Sequence, residues 1–282
     1  MKHIWIVYGS YGLGSRLTVG GWRLAWSPLF QLRLIPDFAG IRLRILLRVG
    51  EKVWGQCVGI GSGGEVGDGV GALDRQEDLM RVAVLTFDGF NELDSFVALA
   101  LLNRVKGWRA EICAPDAIVT SMNGVEVRTQ QPLEWAAQAD MVLVGSGARR
   151  LEVANDATLM ARIRLDPARQ LIGSQCSGAL ILGALGLVGD MPVCTDRTSQ
   201  PMAIAAGLRV LEAPFVAKGN VASAGGCMAA HYLAAWAIAR GAGVEAARSV
   251  IDYVAPVGEK AETVARVMAV IAPFVADVPQ AA

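Results

Sequence analysis

Gln170-Leu171-Ile172-Gly173-Ser174-Gln175-Cys176-Ser177-Gly178-Ala179-Leu180-Ile181-Leu182-Gly183-Ala184-Leu185 is the stretch on which the fold turns. A short apolar strand breaks into a small-x-Cys-x-small turn, and the turn opens an apolar helix. This is the thiol version of a nucleophile elbow, where a sharp strand-to-helix turn lifts the reactive atom above a sheet. Ser174 and Gly178, two positions either side of Cys176, are small because such a turn brings neighbouring backbone close. The spacing also sets the thiol at a helix N-terminus, whose partial positive charge favours the thiolate. A buried structural cysteine at a Gly-rich turn is the alternative that the pattern alone leaves open.

Outward from the elbow, strand and helix signals alternate from Arg81 onward. Val82–Phe87, Trp108–Ala114 and Met141–Val144 read as buried strands, as do Val210–Val216 and Asn220–Ser223, the last after a Lys218-Gly219-Asn220 turn. Leu93–Val105, Ala157–Leu165, Met228–Arg240, Val244–Val254 and Glu262–Val275 carry helical spacing. Alternation of this kind predicts an α/β domain with a mostly parallel sheet sandwiched by helices. In such sheets the site lies at the C-terminal strand edge, where the elbow places Cys176.

Residues 1–79 follow no such grammar. Trp5, Trp22, Trp26 and Trp54 crowd into them, and a Gly-rich run from Gly59 to Gly71 reads as linker. Tyr8-Gly9-Ser10-Tyr11-Gly12 interrupts any secretory core, and Arg33, Asp37, Arg42 and Arg44 deny a membrane span of about 20 apolar residues. An amphipathic helix over Ile41–Val53 is a weak reading. Three segments are expected: a poorly ordered or wrongly assigned extension over 1–79, the functional domain over 80–260 beginning at Met80, and a helix and tail over 261–282. A lineage-specific extension is the alternative for 1–79. Abundant Thr18–Lys52 peptides in mass spectrometry of the native protein would overturn a misplaced start.

Composition narrows the function class. With 26 basic and 26 acidic residues the net charge is zero, and no Lys/Arg block occurs, which argues against nucleic acid or a membrane surface as partner. Cys57, Cys113, Cys176, Cys194 and Cys227 are scattered and odd in number, and the only histidines are His3 and His231. No CxxC pair or Cys/His cluster is present along the sequence, so neither a metal nor a cofactor is expected, and a reducing, cytoplasmic setting follows.

Four pieces appear in order. Val84-Leu85-Thr86-Phe87-Asp88-Gly89-Phe90-Asn91-Glu92-Leu93-Asp94 forms a strand and acidic loop. Val144-Gly145-Ser146-Gly147 is a Gly-rich turn, Gln175-Cys176-Ser177-Gly178-Ala179 the elbow, and Val221-Ala222-Ser223-Ala224-Gly225-Gly226 a closing Gly-Gly motif. Together they make residues 81–254 resemble the ThiJ/PfpI superfamily, with its flavodoxin-like, class I glutamine-amidotransferase-like fold. Within it the isonitrile hydratase-like branch, also found as the sensor half of some AraC-type regulators, is the most similar. The resemblance implies a homodimer, an acidic residue at Asp94 facing the thiol, and an oxyanion site drawing on the Gly145–Gly147 turn. Two departures stand out. Asp196, in Cys194-Thr195-Asp196-Arg197, occupies the place where many members carry His, and Ser177 replaces the usual Thr, which keeps a hydroxyl and a backbone N–H. His231 sits inside an apolar helix and reads as a core or interface residue, so a Cys–His pair is not supported.

What is left is Cys–carboxyl chemistry. By spacing alone Asp94 reads as a helix N-cap; the resemblance turns it toward Cys176 as general acid or base. Glu92 is expected to face water. Backbone N–H groups of the Gly145–Ser146–Gly147 turn and of Ser177 would bind a developing anion, with Asp196 lining the pocket. Arg149 and Arg150 are candidates for an acidic ligand group. Cys113 and Cys227 read as structural, and Cys194 as the thiol able to resolve an oxidised Cys176, which is itself expected to be the first cysteine modified.

The leading expectation is a cysteine-dependent small-molecule hydratase or hydrolase acting through a thioimidate-like adduct. Glyoxalase- or deglycase-type action on reactive carbonyls is the enzymatic alternative, and a non-catalytic ligand or redox sensor the other. Glu259 to Ala282 offers one helix, too little for a helix-turn-helix.

Overall fold

The computed structural model describes residues 79–275 in full and, as backbone strands only, four segments before them. Those segments form two antiparallel hairpins within the Met1–Ala72 unit, β1 Arg16–Val19 with β2 Trp22–Ala25 and β3 Arg42–Val49 with β4 Lys52–Gly59. The helical reading of Ile41–Val53 is therefore corrected: Val49 pairs with Lys52 across a hairpin. The Gly59–Gly71 linker reading lies outside the described residues.

The second unit, Leu73–Ala282, is an α/β sandwich. Its strands are β5 Met80–Leu85, β6 Trp108–Ala114, β7 Ile118–Thr120, β8 Glu126–Arg128, β9 Gln131–Pro132, β10 Met141–Val144, β11 Leu171–Gln175, β12 Phe215–Lys218 and β13 Val221–Ala224. Its helices are α1 Glu92–Leu102, α2 Arg150–Asn155, α3 Ala157–Arg162, α4 Gly178–Ala184, α5 Gln200–Ala205, α6 Ala230–Ala242, α7 Val244–Val254 and α8 Lys260–Ile271. Seven strands form one sheet in the order β12-β13-β11-β10-β5-β6-β9, parallel except for the β12–β13 hairpin at one edge. β10 is buried at every position, as a strand covered on both faces must be.

One face of the sheet packs on α1, α6, α7 and α8 around Trp236, Leu233 and Ile251. The other packs α4, with Ile181 and Leu182, and the 133–138 turn, with Leu133 and Ala136, over Val142 and Ile172. Val267, Met268 and Ile271 of α8 lie in the first core, so that core continues past residue 260. β12 starts at Phe215 rather than Val210. Pro214 has no N–H for a ladder, and Val210 makes only an isolated bridge to Val193. The β7–β8 hairpin, between β6 and β9, has no counterpart in the sequence reading. Among the described residues no helix is long and apolar enough to cross a membrane.

The topology decides where chemistry can occur. β5 connects to β6 on one side and then the chain returns to β10 on the other, so a crevice opens between the C-terminal ends of β5 and β10. β11 ends beside β10, bringing the elbow to the same edge.

Candidate active site

Cys176 follows β11 directly and, at φ 48°, is the only non-glycine residue with positive φ among those described. An L-residue held there costs roughly 1–2 kcal/mol, a strain that the sandwich tolerates at this turn. Its N–H donates to the Ala224 carbonyl at 2.8 Å, anchoring the turn to β13. Cys176→Gly is expected to be more stable than Cys176→Ala by about 1 kcal/mol, the reverse of the usual order, because only glycine is unstrained at this φ. Urea denaturation of the two variants checks this; equal midpoints would mean that the turn stores no strain.

Gly178 is the glycine that the elbow requires. A Cβ there would lie 2.5 Å from the Val144 carbonyl oxygen and 2.8 Å from that of Gly145. Helix α4 thus starts in direct contact with the end of β10. Gly178→Ala is expected to cost about 1–3 kcal/mol through backbone displacement. A thermal midpoint equal to wild type would refute the close packing.

Asp94 lies in the first turn of α1 and is 2 % exposed. It is not the cap: Asn91 takes that role, its Oδ1 accepting the Leu93 N–H at 3.1 Å. Asp94 instead accepts a hydrogen bond from Ser146 Oγ and faces Cys176, while its Oδ1 has no hydrogen-bond partner. Burial raises its pKa above the ordinary value of 3.8, partly offset by the Ser146 hydroxyl. Glu92 points elsewhere. It accepts from Ser121 Oγ and from Asn123 Nδ2 at 2.9 Å, tying α1 to the loop between β7 and β8.

The electrostatics of Cys176 correct one expectation. The thiol is 1 % exposed, and burial, followed by the negative charge of Asp94, pushes its pKa far above the ordinary thiol value. Burial and the neighbouring Asp94 charge thus work against the thiolate that the helix N-terminus was expected to favour. Cys113 and Cys194, also buried, are pushed up to about 12, chiefly by burial.

The Gly-rich turn is zipped to the β5–α1 loop. Ala148 N–H donates to the Gly89 carbonyl at 2.8 Å and Asn91 N–H to the Ser146 carbonyl at 2.9 Å. Gly145 N–H donates to the Leu85 carbonyl at 3.0 Å, so it is not free to meet an anion. Gly147 N–H donates to Ser177 Oγ at 3.2 Å, beside the first turn of α4, where Ala179 N–H donates to the Cys176 carbonyl at 3.2 Å and Leu180 N–H to the Ser177 carbonyl at 3.0 Å. Against these residues lies a cavity of about 10 Å³, lined also by Phe87, Asp88, Arg149, Arg150 and Val153, with room for about one water. Arg149 is engaged with Glu152 at 2.7 Å, and Arg150 reaches the Gly147 carbonyl at 3.5 Å.

Asp196 uses its Oδ1 to accept the Ser199 N–H at 2.9 Å ahead of α5, yet its charge is felt at both Asp94 and Cys176. It neighbours the site without joining the thiol–carboxyl contact. His231 lies outside it: its Nδ1 contacts the Met228 carbonyl and its ring packs on Tyr232 at 3.9 Å.

Sequence reasoning missed two residues and misassigned a third. Gln175 Nε2 donates to the Gly226 carbonyl at 2.8 Å, clasping the elbow to the closing Gly-Gly motif. Asn91 caps α1 and also donates from Nδ2 to Cys227 Sγ at 3.1 Å. Cys227 is no remote structural thiol. Its Sγ, Cys176 Sγ and an Asp94 carboxylate oxygen lie within 4.8 Å of one another, and among the described residues this is the set spaced to hold a metal ion. Along the sequence no donors cluster; folding gathers these three. The signal available was the Gly225-Gly226 turn, which brings whatever follows it to the strand edge.

A buried thiol at a strained elbow, paired with a carboxyl at the switch point of a parallel sheet, defines a cysteine-based enzyme or sensor on a glutamine-amidotransferase-like fold. The DJ-1/PfpI family profile matches residues 80–240, and the chain belongs to that family. Solved structures agree in fold. DJ-1 of Schizosaccharomyces pombe is 16 % identical, with a TM-score of 0.55 over 62 % of this chain and 99 % of its own. A ThiJ/PfpI family protein from Pseudomonas syringae is 20 % identical, TM-score 0.57, over 73 % and 95 %. A Cys-to-Ala mutant of a DJ-1 superfamily protein from Salmonella typhimurium is 26 % identical, TM-score 0.54, over 62 % and 97 %. No curated protein matches the sequence.

Proposed function

We propose that the chain is a cysteine-dependent small-molecule hydratase or hydrolase of the isonitrile hydratase-like kind. The observation that carries this is the direct facing of Cys176 and Asp94, both buried, at the C-terminal sheet edge. The pair shares one proton. As Cys176 Sγ attacks the electrophilic carbon, the proton passes to Asp94, which delivers it to the substrate. A thioimidate-like adduct results. Asp94, again a carboxylate, then takes a proton from water as that water adds to the carbon and gives it to the imidate nitrogen; as the carbon–sulfur bond breaks, it carries the hydroxyl proton of the adduct to the departing sulfur. The N–H of Ser177, with the Ser146 hydroxyl steadying Asp94, stabilises the charge that develops.

A panel of isonitriles, methylglyoxal and glutamine tests the substrate class. Turnover of an isonitrile to the formamide is the expected result; turnover of methylglyoxal alone would assign the site to carbonyl chemistry instead. A non-catalytic sensor would turn over none of them. The proposal includes a homodimer, carried by the family likeness, and light scattering at twice the chain mass checks it.

A further inference from the structure

Two loops hold two sulfurs face to face. Cys176 directly follows β11, and Cys227 opens the short turn Cys227–Ala229 that follows Gly225-Gly226. Their Sγ atoms lie within 4.8 Å of each other. The loops are cross-braced, since Gln175 Nε2 donates to the Gly226 carbonyl and lies 3.6 Å from Cys176 Sγ. Asn91 Nδ2 fixes Cys227 Sγ from the other side. Cys227 is partly exposed and is followed by Met228, which is 67 % exposed; Cys176 is buried. Gly226 has φ 88°, and nothing lies within 4 Å of the place a Cβ would take. Cys194 does not share this arrangement. It is fully buried, with its N–H on Ser223 Oγ at 3.2 Å, and its sulfur is not part of the cluster.

We propose that Cys176 and Cys227 are a redox pair that closes to a disulfide when a hydroperoxide oxidises the site. Cys227, the thiol open to solvent, attacks the peroxide oxygen and becomes a sulfenic acid, and the peroxide leaves as water or an alcohol. Cys176 then passes its proton to Asp94 while its sulfur attacks Cys227 sulfur. The S–O bond breaks, and the departing hydroxide takes that proton to leave as water. Two thiols lose two electrons and two protons in all, and the hydroperoxide receives them. The sulfurs close to about 2 Å, and the freedom of Gly226 accommodates the movement. The disulfide rests on the geometry alone; its consequence, a nucleophile withdrawn from turnover, rests on the proposed function.

The test uses the full chain treated with stoichiometric hydrogen peroxide, quenched with iodoacetamide and mapped by non-reducing peptide mass spectrometry. Expected are a Cys176–Cys227 linked peptide, an intact mass lower by two hydrogens, and recovery of both thiols with dithiothreitol. Cys194→Ser should form the same link, and Cys227→Ser should lose it and leave Cys176 a thiol that is alkylated once the chain is unfolded. Linkage of Cys176 to Cys57, Cys113 or Cys194 would overturn the pairing. So would a Cys176 sulfinic acid beside a Cys227 that is still alkylated. If no substrate turns over but the link forms, the proposed function fails and the redox pair stands.

Discussion

Replacing Cys176 by Ala is expected to abolish turnover, by at least about 10³-fold, because Cys176 is the thiol on which the proposed adduct forms. The fold should survive. The side chain is small, and the turn is held by the backbone bond from residue 176 to Ala224 and by the Gln175 clasp on Gly226, neither of which uses the thiol. Intact-mass spectrometry of wild type with substrate, after acid quench, should trap an adduct that is absent from the variant. Retained turnover in Cys176→Ala would eliminate nucleophilic catalysis by this residue. A lost adduct together with retained turnover would leave the thiol as a bystander.

Asp94→Asn is expected to lower turnover by about 10²–10⁴-fold, the range for losing a positioned proton carrier. Asparagine keeps the shape and can still accept from Ser146 Oγ, so the loss isolates the proton. Burial raises the carboxyl pKa, and the sign of its effect on stability follows. The neutral form suits the fold, so its contribution is complete below the unfolded pKa and is lost as pH rises through the folded one. At neutral pH the variant, uncharged throughout, should melt no lower than wild type, while its turnover falls. In wild type the acidic limb of kcat/KM should sit above the ordinary carboxylate range and should vanish in the variant. A variant that melts well below wild type would mean that Asp94 serves the fold rather than the reaction. An unchanged pH profile would remove it from catalysis.

How much of the site was legible differs residue by residue. The elbow, the acidic loop and the Gly-rich turn are local, contiguous motifs, and the family likeness ordered them correctly. Whether Asp94 was a cap or a partner of the thiol could not be read from spacing, since Asn91 and Asp94 both precede helical residues with suitable side chains. The structure settles the cap, because the Asn91 side chain and not that of Asp94 accepts the Leu93 N–H. Cys227 was misjudged for a different reason. Its proximity to Cys176 is created by β11 and β13 lying side by side, a pairing across roughly fifty residues that no short-range pattern encodes.

The sequence by itself determined the alternation of strands and helices, the parallel sheet and the identity of the elbow cysteine. These follow from hydrophobic period and turn chemistry, which act over a few residues. The tertiary structure alone decided the reactivity. Burial of Cys176 and Asp94 raises both pKa values, the Leu85 carbonyl takes the Gly145 N–H, and a second thiol arrives on the neighbouring loop. Desolvation, hydrogen-bond competition and side-chain proximity depend on what packs around a group. That is fixed only when distant segments meet at one edge of the sheet.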